Sequence, residues 1–98
     1  MSEPLIVHHD AARQCFSVSL QGEEACLMYC LNGTAVDLYR TYVPDAFRGW
    51  GIAEQLCRAA FEYAKAKALT VIPSCSYISG AYLKRHPEYI SLVQESGD

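Results

Sequence analysis

The chain has 98 residues, 51% hydrophobic and 19% charged, the make-up of one domain over residues 1–98 and not of a disordered segment. A net charge of −3 without a basic stripe argues against bulk nucleic-acid binding, which needs clustered lysine and arginine. No apolar run approaches the roughly 20 residues of a membrane span, and the short acidic start Met1-Ser2-Glu3-Pro4 is not read as a signal peptide.

Leu5 to His8 reads as a first strand, and Asp10 to Arg13 as a short connection. Cys15 to Leu20 alternates, with Phe16, Val18 and Leu20 on one face. Gln21-Gly22 turns the chain. Ala25 to Leu31 is continuously apolar and is expected to be a central strand covered on both faces. Asn32-Gly33 is a hairpin signal, and Ala35 to Val43 follows as a strand. From Gly51 to Leu69 the apolar spacing turns helical: Ala53, Leu56, Cys57, Ala60, Phe61, Ala64, Ala68. Glu54, Arg58 and Glu62 lie on the other face, spaced to pair with one another. Leu69 to Pro73 is a short strand, so strand, helix and strand form a parallel, right-handed crossover. Ser79 to Arg85 reads as a short helix stopped by Pro87, Pro87 to Val93 as a last turn or helix, and Glu95 to Asp98 as frayed. The fold class is α/β (α+β): an antiparallel meander, a β-α-β crossover and short C-terminal helices.

The five cysteines, Cys15, Cys26, Cys30, Cys57 and Cys75, are odd in number and lie mostly in apolar stretches. That pattern implies reduced thiols and a cytoplasmic setting. No CxxC is present, and Cys26 and Cys30 sit on one strand without converging, so no metal is expected. His8 and His9, adjacent on a strand, diverge.

Between the last meander strand and the helix stands Val43-Pro44-Asp45-Ala46-Phe47-Arg48-Gly49-Trp50-Gly51-Ile52-Ala53. Glycines let the backbone approach an anion, free N–H groups open the helix, and Arg48 adds charge. The first helical positions are read as free of a competing acid. This is a site for a phosphate or pyrophosphate; the alternative is a plain strand-to-helix turn that uses glycines. The crossover brings the carboxyl end of the strand at Val43 beside that of the strand at Pro73, which joins this turn to Cys75.

Arg48-Gly49-Trp50-Gly51-Ile52-Ala53 resembles the R/Q-x-x-G-x-G/A signature with which the GNAT superfamily of N-acetyltransferases cradles the pyrophosphate of coenzyme A. With Val71-Ile72-Pro73-Ser74-Cys75 and Arg85-His86-Pro87-Glu88-Tyr89, the chain resembles a small single-domain GNAT-like subfamily along almost its whole length. The resemblance implies a minimal GNAT-like fold that binds acetyl-CoA. It implies that the strand at Thr41, Tyr42 and Val43 holds the pantetheine arm through its backbone, and that Cys75 lies near the thioester. Two departures stand out. The helices that larger relatives insert between their first two strands are missing, and Arg40 stands where the subfamily often carries a histidine.

Cys75 is then either a nucleophile that accepts acetyl, its thiolate favoured by a helix N-terminus or by Arg40, or a small residue beside the cofactor. Arg40 follows Val36 and Leu38 at alternate positions and is read as a cation on an apolar face. Tyr77 and Tyr82 are each able to protonate the leaving thiolate, or else pack. Lys84 and Arg85 either reach the adenosine phosphates or form an exposed helix end. His86 is expected to cap the carbonyls of the helix before Pro87. Trp50 is expected to be exposed and to stack on the cofactor or a partner. The resulting expectation is an acetyl-CoA-dependent N-acetyltransferase acting on an amine, with a protein, a polyamine or a small metabolite as the open choices of acceptor, as a monomer or weak homodimer paired through an apolar edge strand. The rivals are a non-catalytic acyl-CoA-binding module and a protein-interaction domain.

Overall fold

Five strands form one sheet in the order β1-β2-β3-β4-β5 in the computed structural model, which describes residues 6–94. They are β1 (His8–Asp10), β2 (Cys15–Leu20), β3 (Glu23–Asn32), β4 (Ala35–Tyr42) and β5 (Thr70–Ile72). The first four are antiparallel neighbours, and β5 runs parallel to β4 after the crossover helix α1 (Ile52–Ala66). The turn glycines behave as their sequence implies, with φ of 80° at Gly22 and 64° at Gly33. The first strand starts later than expected: His8 to Asp10 pair with Ser17 to Cys15, because Arg13 bonds back to Asp10 and closes the turn there. Leu5 and Glu95 to Asp98, read as strand and frayed end, lie outside the described residues.

α1 lies on one face of the sheet. Ile52, Leu56, Cys57, Ala60, Phe61 and Ala64 are its buried residues, and they join Phe16, Val18, Leu27, Tyr29, Val36 and Leu38 in a single core. Burying such side chains stabilises by roughly 1.5–3 kcal/mol each. β3 is therefore covered on one face, not both. Ala25, Leu27 and Tyr29 are buried, Cys26 and Met28 only partly, and Cys30 is exposed. One helix of 15 residues can cover only one face, and the small or pliable Cys and Met tolerate the other. The adjacent histidines do diverge: His8 is exposed, while His9 stacks on Phe16 at 4.3 Å and its Nε2 lies 2.6 Å from Tyr29 Oη.

The pairing of β3 with β4 is interrupted. Met28 faces Arg40 but Tyr29 faces Leu38, so Tyr39 is an extra residue, a β-bulge. The bulge reverses the in-out alternation beyond it. Thr41, opposite Leu27, returns to the face of α1, and Arg40, opposite Met28, is turned to the open face. The expected sharing of a face by Arg40, Val36 and Leu38 is thereby corrected.

Past Ile72, Pro73 has no N–H to continue the ladder, and β5 leaves β4. The chain returns at Cys75, whose N–H donates to Leu38 O at 2.9 Å. A six-residue π-helix (Tyr77–Tyr82) then runs into the one-turn helix α2 (Leu83–Arg85), starting two residues earlier than predicted from sequence, and a 3-10 helix (Pro87–Leu92) follows. The outer edge of β5 is occupied by the chain's own Val93 and Gln94, with Gln94 N–H donating to Val71 O at 2.8 Å.

Candidate functional site

The strand-to-helix junction is built by residues with opposite tasks. Pro44 leads a 3-10 turn (Asp45–Phe47) whose buried Phe47 anchors the loop. Gly49 and Gly51 then adopt φ of 89° and 77°. A Cβ would meet nothing within 4 Å at either, so backbone conformation and not space requires glycine there. Gly51 is the N-cap of α1 and provides no side-chain cap. The N–H groups of Ile52, Ala53 and Glu54 therefore open the helix without intrahelical partners, at the positive end of its dipole.

These groups border an open cleft of about 580 Å³. Thr41 at the end of β4 and Val43 just past it line it, with Phe47 to Gly49 and Gly51 to Glu54 from the junction, and Tyr77 and Arg85 from the C-terminal helical segment. Residues from the sequence-predicted set thus meet in one place: Thr41, Val43, Arg48, Gly49, Gly51, Ile52, Ala53 and Tyr77. Trp50, Tyr42 and Cys75 do not line it. Trp50 packs edge-on against Phe47 at 5.2 Å and is half exposed, and Tyr42 is equally exposed.

The helix start is not free of acid, contrary to the expectation. Glu54 stands in the first turn and lines the cleft, but its charge is clamped. His86 Nε2 donates to Oε1 at 2.9 Å, and Arg85 donates to Oε2 at 2.5 Å. These two partners, His86 foremost, hold the Glu54 carboxyl below its ordinary value. His86 thus does not cap helix carbonyls with its ring; only its backbone N–H turns back, to Tyr82 O at 3.0 Å. Nor does Glu62 pair along the helix face, since it accepts a hydrogen bond from Tyr89 Oη at 2.7 Å. A carboxyl depressed in the folded state adds stability above its unfolded value near 4.5, and that stability is lost as pH falls through the lower folded value. Glu54→Gln is therefore expected to lower the melting temperature at pH 7, with the difference shrinking below about pH 4. A difference that stays constant with pH would contradict this assignment.

Behind the lining residue Thr41, whose hydroxyl lies 3.5 Å from Cys75 Sγ, stands Cys75, which does not itself line the cleft. Burial pushes the Cys75 thiol up, but the Thr41 hydroxyl and the backbone N–H groups of Ile78, Tyr77 and Thr41 outweigh it, so the thiol lies below its ordinary value. Cys57, fully buried beneath, is pushed far up by burial. Arg40 has no part in this: it stands exposed on the opposite face of the sheet. Thr41→Val removes one of the interactions that favour the thiolate. It is expected to move the onset of Cys75 alkylation to higher pH, read by peptide mapping after iodoacetamide, while Cys30 serves as an unaffected exposed control.

The two tyrosines separate. Tyr77 is half-buried at the cleft, and burial, then Cys57 and Glu54, raise its phenol, which therefore stays protonated at neutral pH. Tyr82 is only 1% exposed and stacks between Phe61 at 5.6 Å and Tyr89 at 6.1 Å. Its place is in the aromatic core, not on the lining of the cleft, so the structure does not bring it to the site.

A sequence model of the family described as GCN5-related N-acetyl-transferase matches residues 15–92. The chain belongs to this family. It is 41% identical to Protein NATD1 of Xenopus tropicalis over 98 residues, covering 95% of this chain and 89% of that one. It is 41% identical to Protein NATD1 of Mus musculus over 96 residues, covering 93% and 86%, and 40% identical to that of Homo sapiens over 96 residues, covering 93% and 84%. As a GCN5-related N-acetyltransferase it has the mixed, mostly antiparallel five-stranded sheet of a minimal GNAT-like fold. The cleft's donor set is chemically compatible with an anionic group: three uncapped N–H groups and Arg48 line it, and its one acid, Glu54, is paired with Arg85 and His86. Arg48 pairs loosely with Asp45 at 3.1 Å on a fully wet surface, a contact that a phosphate can replace.

The Glu54–Arg85–His86 clamp escaped sequence reasoning. Glu54 is visible as the third helical residue, but its partners lie 31 and 32 positions on, and no local pattern links them. The Thr41 hydroxyl was likewise missed, because its direction depends on the bulge at Tyr39. Among the described residues no helix is long and apolar enough to cross a membrane, and no three His, Cys, Asp or Glu are grouped to hold a metal.

Proposed function

We propose that this chain, acting as one domain over residues 1–98 in the cytoplasm, binds acetyl-CoA and transfers acetyl to an amine, directly or through Cys75. The observation that carries the reading is the cleft itself: the uncapped start of α1, Arg48, Arg85 and Thr41 line it, and Cys75 touches Thr41 from outside the lining. Acetyl-CoA, when bound, supplies an activated acetyl thioester. Ile52, Ala53 and Glu54 N–H groups hold negative charge, Arg85 adds a cation fixed by Glu54, and the β4 backbone at Thr41 to Val43 orients the arm. Tyr77 Oη, protonated at neutral pH, is the proton donor for a departing thiolate. Cys75, with its lowered thiol, is the group able to accept acetyl if transfer is covalent.

One observation favours a second reading, an acyl-CoA-binding module without catalysis. The sheet face opposite α1 carries no covering helix among the described residues, so no wall encloses an acceptor there. Calorimetric titration with acetyl-CoA and with free coenzyme A, followed by intact mass, tests both. Binding with an acetyl adduct on Cys75 supports the covalent route, and binding with transfer to an added amine but no adduct supports the direct one. Binding with neither favours the module. Failure to bind either ligand removes the proposal.

A further inference from the structure

The sheet face opposite α1 is covered over one half and bare over the other. Towards β1 the chain roofs it: Arg13 donates to Cys15 Sγ at 3.3 Å and to Glu24 Oε2 at 3.1 Å, and Cys15 and Ser17 are buried. Towards β4 there is no such roof among the described residues. Cys26 stands opposite Tyr42, Met28 opposite Arg40, and Cys30 opposite Asp37. Cys26, Met28 and Asp37 are half-buried, while Cys30, Arg40 and Tyr42 are exposed. Tyrosine, methionine and arginine are the residue types enriched where protein surfaces meet.

Two opposite charges on this bare half are unmatched. Val36 and Leu38 point to α1, so Asp37 points to the open face, where the bulge also turns Arg40. Asp37 Oδ1 is buried and accepts no hydrogen bond among the described residues. An acceptor left in that state is costly, and a cation brought to the carboxylate offsets the cost. Neither Asp37 nor Arg40 forms an ion pair among the described residues. They leave one strand in the same direction, up to roughly 10 Å apart along it, and so do not serve each other.

A second copy matches both at once. In a two-fold contact residue i of one copy meets residue j of the other, and j meets i. Two copies laid face to face, β4 antiparallel to β4 with the axis between Asp37 and Arg40, bring each Arg40 over the partner's Asp37. Packed sheets stand about 10 Å apart, a gap suited to a long arginine opposite a short aspartate. An acidic partner would match Arg40 and leave Asp37 unpaired, and a basic partner would do the reverse.

We propose that the open face of β3 and β4 is the interface of a face-to-face homodimer, in which Arg40 of each copy pairs with Asp37 of the other. Edge-to-edge extension of the sheet is less well provided for. The edge at β5 is already occupied by Val93 and Gln94, and β1 offers three residues at the other edge.

Sedimentation velocity over a concentration series tests the dimer. Wild type is expected to dimerise, more weakly as salt rises. Asp37→Arg and Arg40→Asp each set like charges opposite one another at both contacts, and each is expected to weaken the dimer on the order of 100-fold. The chain carrying both exchanges regains opposite charges and is expected to dimerise again. An equimolar mixture of the two single variants should also recover, as a mixed dimer, because the two charges of one chain oppose the two of the other. Damage to the fold would not be repaired by mixing. Circular dichroism checks folding first. If a charge reversal unfolds the chain, Asp37→Asn or Arg40→Gln replaces it, each expected to weaken the dimer about tenfold. Wild type that stays monomeric up to about 1 mM would overturn the inference. So would a dimer that the single variants leave intact, which would put the contact on another surface, or single variants that lose the dimer and do not recover on mixing.

Discussion

Gly51→Val is expected to weaken coenzyme A binding by tenfold to several hundredfold. Gly51 sits at φ 77°, where a branched side chain is an outlier, so the variant must twist the N-cap of α1. That twist re-aims the N–H groups of Ile52 and Ala53. Each hydrogen bond lost to a charged group is worth about 1.5–3 kcal/mol, and about 1.4 kcal/mol is a factor of ten. The strain itself is smaller, roughly 1–2 kcal/mol of stability. Gly22→Val is the control. It has a similar φ of 80° in the turn between β2 and β3 and does not line the cleft. It should lose comparable stability and keep its affinity in calorimetry. Equal affinity losses in the two variants would mean that the cleft is not the binding site.

Phe61→Ala is expected to cost about 3–5 kcal/mol of folding free energy. Phe61 is fully buried in α1 and stacks on Tyr89 at 4.9 Å and on Tyr82 at 5.6 Å. A domain of this size has roughly 5–15 kcal/mol to lose, so the melting temperature should fall by tens of degrees, read by circular dichroism. The consequence reaches the site. Tyr82 and Tyr89 flank Arg85 and His86 in the chain, and through them Phe61 holds the C-terminal segment against α1. Coenzyme A binding should weaken even at temperatures where the variant is folded. Ile90→Ala, at a residue 54% exposed, should change stability by less than about 0.5 kcal/mol and leave binding alone.

Most of the architecture was legible along the chain because the signals are local. Cys15–Leu20 alternates and is β2, the helical spacing after Gly51 is α1, and the Asn32-Gly33 signal marks the β3–β4 hairpin, although Asn32 pairs with Ala35 and the loop itself is Gly33-Thr34. The glycine turn that opens α1 was legible for the same reason, since Arg48, Gly49, Gly51 and the helix start are contiguous. The misreadings have a common origin in contacts between distant segments. Arg40 was placed by strict alternation, which one extra residue at Tyr39 reverses. Tyr82 and Tyr77 are alike in sequence, and only packing against Phe61 sends one to the core while the other lines the cleft. The continuous apolar run of β3 looked doubly covered, yet the number of layers depends on how many helices the fold supplies.

By itself, then, the sequence determined the order of elements, the parallel crossover and the turn that opens α1. Each depends on periodicity or on backbone freedom within a few residues, and those are written in neighbouring side chains. Tertiary structure alone decided that Glu54 is clamped by Arg85 and His86 and that the Thr41 hydroxyl meets Cys75. Those relations join residues some 30 positions apart, and they follow from strand register and from which faces pack together, which no local pattern encodes.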